Sequence, residues 1–228
     1  MDSMGFIYEE RSSDSPFIET VMRGRTVGSG SSIRPAELHW HMVFTKDHGR
    51  RYTFLVGPLR SSGKVTFIEG AEILWIRFKL GSFLRHLPTK DLVDTELSLP
   101  DAASDRFWLR SSARQFPDFE NAETFVDRLA REDSLARDPV VIDALESRPV
   151  ETPARTLRHH FLHTTGLTQD HIRQMRRAER AAALLQQGVP ILDTVFDAGY
   201  FDQPHLTRSL KRFTGYTPAQ LSGGTAPG

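Results

Sequence analysis

The stretch from Gly188 to Pro218 constrains the fold most, because it carries the stop and start signals of two short helices. Gly188 suits the left-handed end of one helix, and Pro190 suits the first turn of the next. That helix, about Pro190 to Ala198, sets Ile191, Val195 and Ala198 on one face. It stops at Gly199, where a tight turn needs a residue that tolerates positive φ. Asp202 can cap the following helix through its carboxylate. Leu206, Leu210 and Phe213 then recur at helical spacing and form its inner face. Two short helices joined by a glycine turn make a helix-turn-helix unit.

The second helix leaves Gln203, His205, Thr207, Arg208, Lys211 and Arg212 for its outer face. Gln and Arg can each make two hydrogen bonds to one base edge, Gln to adenine and Arg to guanine. The whole run Ala198-Gly-Tyr-Phe-Asp-Gln-Pro-His-Leu-Thr-Arg-Ser-Leu-Lys-Arg-Phe-Thr-Gly-Tyr-Thr-Pro218 resembles the C-terminal signature of the AraC/XylS family of bacterial transcription regulators. The matching elements are Ala-Gly-aromatic, an acidic cap, Leu-x-Arg-x-Leu-Lys-Arg-Phe, and Gly-x-Thr-Pro. The resemblance extends over about 75 residues once the upstream helices are included. It implies a double helix-turn-helix domain bound to double-stranded operator or promoter DNA. RNA polymerase, a small-molecule effector and a second copy of the chain are the further partners it implies.

The upstream unit departs from the family pattern. Thr156 to Gly166 resembles the family's first recognition helix, with Leu157 and Phe161 inward and Arg155, Arg158 and His159 outward. Its supporting helix falls at about Pro139 to Ser147, followed by Arg148-Pro-Val-Glu-Thr-Pro153 in place of a simple turn. A shortened or differently docked first unit is therefore expected. Between the units a helix of about Thr168 to Gln187 would be about 30 Å long. That is close to the roughly 34 Å between successive major-groove faces of a duplex. Ile172, Met175, Ala182 and Leu185 give it a packing stripe, and Arg173, Arg176, Arg177 and Arg180 a basic one suited to phosphates.

The remainder reads differently. From Phe17 to about Leu80 short runs rich in aromatic and β-branched residues alternate with Gly and Pro. Phe17–Met22, Leu38–Phe44, Arg51–Val56 and Glu72–Phe78 are the expected strands, with residues up to Pro16 as a loose arm. No helix-length segment separates them, which favours a small antiparallel barrel or sandwich. Asn121 to Arg131 is an expected helix with Asn121 as its cap and Phe125, Val126 and Leu129 as an apolar stripe. That stripe suits subunit pairing, domain docking, or packing on its own β domain. The fold class is thus α+β: a β-rich barrel-like or sandwich-like sensor domain over 1–118, connecting helices over 119–148, an all-α DNA-binding domain over 149–221, and a loose tail over 222–228.

Charge supports this division. The chain is neutral overall, yet residues 150–228 hold nine Arg/Lys against six Asp/Glu, and residues 1–149 hold twenty against twenty-three. Zero cysteines exclude disulfides and thiolate metal sites. No apolar run approaches roughly 18 residues, and Met1 to Glu10 lacks a signal-peptide pattern, so a cytoplasmic protein is expected. His39-Trp40-His41 on an expected strand would put two imidazoles on one face. With Glu69, Glu72, His48 or His86 they could form a cupin-like metal site, the metalloenzyme alternative to a regulator. The reading adopted is no enzyme, no metal and no cofactor, with His39, His41 and Trp75 as ligand-contacting candidates.

Overall fold

A computed structural model describes residues 6–102 and 105–223. The chain folds as two compact units that do not follow chain order: residues 1–29, 39–58 and 67–168 in one, and residues 30–38, 59–66 and 169–228 in the other.

The first unit is built on a six-stranded antiparallel sheet. Its strands are β1 (Phe6–Ser12), β2 (Ile18–Thr26), β4 (His41–Asp47), β5 (Arg50–Val56), β7 (Glu72–Phe78) and β9 (Glu96–Leu99), ordered β1-β2-β7-β4-β5-β9. The strands β3 (Gly30–Arg34) and β6 (Gly63–Phe67) pair with each other outside this sheet. The sheet is open, with β1 and β9 at its two edges, so the expected barrel does not close. Period-2 alternation sends Leu74, Ile76 and Phe78 of β7 into the core. Trp40 stacks on Phe78 at 3.8 Å, and its indole N–H donates to the Ser82 carbonyl at 2.8 Å. A tyrosine or tryptophan buried this deeply needs such a partner.

Residues 1–5 of the expected loose arm lie outside the described residues, and residues 6–12 form β1 instead, paired with β2 from Phe6↔Thr26 through Ser12↔Thr20. Arg11 fixes it from the side: its guanidinium bonds both oxygens of Glu123 at 2.5 and 2.8 Å and the Phe119 carbonyl at 2.6 Å. That contact holds the Glu123 carboxyl down at about 2.

Smaller elements complete this unit. β8 (Ser82–Leu84) pairs with β13 (Leu135–Arg137), and β10 (Asp101–Ala102), β11 (Arg106–Leu109) and β12 (Ser112–Gln115) form a three-stranded sheet. α1 (Ala122–Arg131) buries Val126 and Leu129 in the core of its own unit, and Phe125 meets Phe44 edge-on at 5.9 Å. The apolar stripe is therefore consumed by the β domain, the third of the three roles it could serve. Asn121 does not cap α1 with its side chain; its Oδ1 accepts from the Asp118 N–H instead. α2 (Pro139–Leu145) and α3 (Ala154–Thr165) follow, α3 lying against β8 and a short 3-10 helix at Thr89–Leu92.

The second unit holds α4 (Gln169–Gln186), α5 (Ile191–Asp197), α6 (Gln203–Phe213), α7 (Pro218–Ser222) and a ribbon of β3 (Gly30–Arg34) and β6 (Gly63–Phe67). Its core is Ile172, Met175, Ala178, Ala181 and Leu185 of α4, Val195 of α5, Leu206, Leu210 and Phe213 of α6, and Leu221. Ala181, not Ala182, continues the α4 stripe, because successive steps of three and four follow the packed face. Pro190 takes the cap position of α5 rather than its first turn. Ser222 closes α7 rather than opening the expected loose tail, and residues 224–228 lie outside the described residues.

Candidate nucleic-acid interface

The second helix-turn-helix is assembled from local signals. Gly199 adopts φ 70° between α5 and α6, a conformation that costs other residues energy. Asp202 accepts from the His205 N–H at 2.7 Å and starts α6. Tyr200 turns inward and its hydroxyl meets Ser209 at 2.8 Å, which locks the turn to the helix. The Gly-Tyr-Thr-Pro run ends the module: Thr217 and Gln220 form a reciprocal capping box, and Pro218 occupies the first turn of α7.

With that scaffold fixed, α6 turns one continuous face outward. Gln203, Arg208, Lys211 and Arg212 are exposed, and Thr207 and His205 are half-buried beside them. Thr207 donates back to the Gln203 carbonyl at 2.9 Å. No acidic residue lies on α6.

The basic residues of α4 divide into two kinds. Arg176 and Arg180 are exposed one turn apart, opposite the packing stripe. Arg173 is exposed as well, 3.5 Å from Asp170. Arg177 is half-buried: its guanidinium lies 4.4 Å over the Tyr200 ring, donates to the Gly199 carbonyl at 3.3 Å and approaches His205 Nε2 at 3.5 Å. It braces the turn.

The first helix-turn-helix is not shortened, since α2 is as long as α5 and α3 slightly longer than α6; it differs in its longer connection. α2 has seven residues, and residues 146–153 join it to α3. Arg155, Arg158 and His159 are exposed on one side of α3, and Phe161 is buried on the other. Asp138 organises the pair. Its carboxylate accepts from the N–H groups of Val140 and Val141 at 3.0 and 3.3 Å, from His160 Nδ1 at 2.6 Å and from the Thr164 hydroxyl at 3.1 Å. Burial alone would raise the Asp138 carboxyl, but these donors together hold it below its ordinary value. Burial also pushes the His163 imidazole down, with the neighbouring His159 adding to the effect.

The candidate ligand residues do not gather. His39 sits in a bend ahead of β4, so the alternation that would put it beside His41 does not apply. His41 is buried on β4 opposite Arg77, and Trp75 of β7 packs edge-on against Phe6 at 5.4 Å. Among the described residues no group of three or more His, Cys, Asp or Glu is placed to hold a metal ion. The first unit does contain an open cleft of about 900 Å³, walled by other residues. Phe44, Phe116 and Phe119 contribute its apolar surface, while Arg23–Glu9 at 2.7 Å and Arg51–Asp105 at 3.2 Å are ion pairs on its wall.

Residues 147–223 match the family model of a helix-turn-helix domain, and that model is of the AraC type. Residues 147–223 therefore carry an AraC-type helix-turn-helix domain, about a third of the chain. Two solved structures of ToxT from Vibrio cholerae are similar to it over 97% and 98% of this chain and 99% of theirs, at 11% identity and a TM-score of 0.41 for each. Comparison with curated proteins finds no match. No helix among the described residues is long and apolar enough to cross a membrane.

Two features of the interface escaped the sequence reading. Phe201 and Phe196 are 91% and 80% exposed beside the α5–α6 turn. Tyr200 and Phe201 look alike in sequence, and only the turn geometry decides that one goes inside. The other feature is the β3–β6 ribbon at the end of α6, whose partners lie far away along the chain.

Proposed function

We propose that this regulator reads a specific duplex sequence with two helices and answers a small molecule bound in its β-rich unit. The exposed, acid-free face of α6 carries the reading, because Gln203 and Arg208 can each address one base edge with two bonds. Arg155, Arg158 and His159 of α3 serve a second half-site. Arg176 and Arg180 approach phosphates, together with Lys211 and Arg212, and fix the register without reading sequence. His205 and Thr207 support the base-reading face from its edge. Functional labour divides as effector sensing in residues 1–118, apart from residues 30–38 and 59–66, which pack with the helical unit, connection in 119–148 and DNA binding in 149–221.

The cleft supports the effector reading. Its volume suits a ligand of drug-like size, and its wall combines aromatic surface with a few fixed polar groups. His39, His41 and Trp75 would then act from the neighbouring sheet rather than as the wall itself. RNA polymerase and a second copy of the chain are the proposed protein partners, the cytoplasm the proposed compartment, and no enzymatic activity is proposed.

Enrichment of random duplexes on the purified protein tests the reading. A defined consensus is expected, and Arg208→Ala should cost about 1–3 kcal/mol at one base position and relax preference there. Equal weakening on every sequence would make Arg208 a phosphate contact; absence of any consensus would sink the proposal.

A further inference from the structure

The β3–β6 ribbon lies more than a hundred residues before α6 in the sequence, yet it is bonded to the C-terminal end of that helix. The Ala36 N–H donates to the Phe213 carbonyl at 2.7 Å, and the Ser62 N–H donates to the Arg212 carbonyl at 2.8 Å. The Ser62 hydroxyl adds a third bond, to the Lys211 carbonyl at 3.2 Å. Gly215, at φ 83°, lets Ile33 close in: a Cβ there would stand 2.4 Å from Ile33 Cγ2. These contacts build a hollow of about 400 Å³ between ribbon and helix end. Lys64 and Lys211 line it with Ser31, Ser32 and Ser62, and none of its lining residues is acidic. Among the described residues, neither lysine pairs with a carboxylate.

We propose that this hollow is a phosphate-binding site, and that its occupant is a backbone phosphate of the duplex that α6 reads. The inference rests on the DNA-reading role of α6 and extends its footprint to a segment outside the helix-turn-helix. A bare helix C-terminus carries partial negative charge on its open carbonyls and repels phosphate. Here the ribbon fills those carbonyls with N–H and O–H donors, while two ammonium groups reverse the local sign. The serine hydroxyls of Ser31 and Ser32 supply neutral donors of the kind that commonly bind phosphate oxygens. Lys211 supplies continuity, since it sits on the exposed face of α6 one turn beyond Thr207 and Arg208. A duplex lying along that face would pass its backbone over the ribbon.

The test uses the full chain and a duplex recovered by the random enrichment. Binding is followed by fluorescence anisotropy across a salt series for the parent, Lys64→Gln and Lys64→Arg. One phosphate contact is worth a slope of about 0.9 in log K against log salt for duplex DNA. Lys64→Gln should flatten the slope by about that amount, with the preferred bases unchanged and the thermal melt of the protein unmoved. Lys64→Arg should keep the parent slope. Inorganic phosphate should displace the duplex no better than chloride at equal ionic strength. An unchanged slope in Lys64→Gln overturns the inference while leaving the α6 reading intact. Selective displacement by inorganic phosphate, lost in Lys64→Gln, also overturns it and makes the hollow a site for a free anion. Should the enrichment yield no preferred duplex, the α6 reading falls and this inference with it.

Discussion

The two helix-turn-helix units solve one problem with different chemistry. In the second, α5 and α6 are held by a glycine turn, a carboxylate cap and the buried Tyr200–Ser209 bond, all within a span of twelve residues. In the first, α2 and α3 stand eight residues apart, and one buried carboxylate, Asp138, receives four donors from both helices. A unit tied by many small local terms loses little when any one is removed. A unit tied at a single ionised node loses most of its geometry at once. The difference predicts where mutation and pH will act.

Removing the node should have the largest effect. Asp138→Ala deletes a helix cap and leaves His160 and Thr164 without their acceptor, a loss of about 2–4 kcal/mol in urea unfolding. The second unit should keep its amide protection in hydrogen exchange. Comparable deprotection of α5 and α6 would show that the two units do not differ as argued.

Base reading is the next test. Arg158→Ala and Arg208→Ala should each cost about 1–3 kcal/mol, but at different positions of the selected duplex. If Arg158→Ala changes no position while Arg208→Ala does, the chain reads DNA with one helix and α3 is a structural element.

Within the second unit, Arg177 and Arg176 should separate cleanly. Arg177→Ala should lower stability by about 1 kcal/mol through loss of its stacking on Tyr200, with little change in the salt slope. Arg176→Ala should leave stability alone and flatten the slope by about one. Exchanged behaviours would mean the Tyr200 contact opens on DNA.

The smallest effect is acidic. Because the Asp138 carboxyl is held below its ordinary value, its contribution is complete above the ordinary carboxylate range. It is lost as pH falls through the depressed value. Amide exchange in α2 and α3 should therefore quicken at low pH before that in α5 and α6. Simultaneous quickening would remove Asp138 as the cause.

Legibility in the sequence follows the same contrast. Gly199, Asp202, Leu206, Leu210, Phe213 and the Thr217-Pro218 start are local signals, and each sits where its neighbours alone require it. The strands β2, β4, β5 and β7 were legible from their aromatic and β-branched residues, although β4 begins only at His41. β1 was not, because an edge strand needs no apolar face and Tyr8-Glu-Glu-Arg-Ser12 reads as polar loop. It is paired along its length with β2, and Arg11 ties it to Glu123, a partner 112 residues away. Asp138 was equally opaque: a cap is readable from sequence, but the arrival of His160 and Thr164 at the same carboxylate is not. The exposed side chains of α6 were nameable from helical spacing, whereas the ribbon beside them has no signature of its own.

That ribbon also sets an order of events during synthesis. Ser62 leaves the ribosome about 150 residues ahead of the Lys211 carbonyl it must reach, an interval on the order of ten seconds at typical elongation rates. Through that interval β3 and β6 have no helix to dock on, while the strands on either side of them can already be pairing. The unit of α4 to α7 is therefore completed late, by chain made early. A fragment beginning at residue 149 would be translated without this closing piece, with the final carbonyls of α6 left to water.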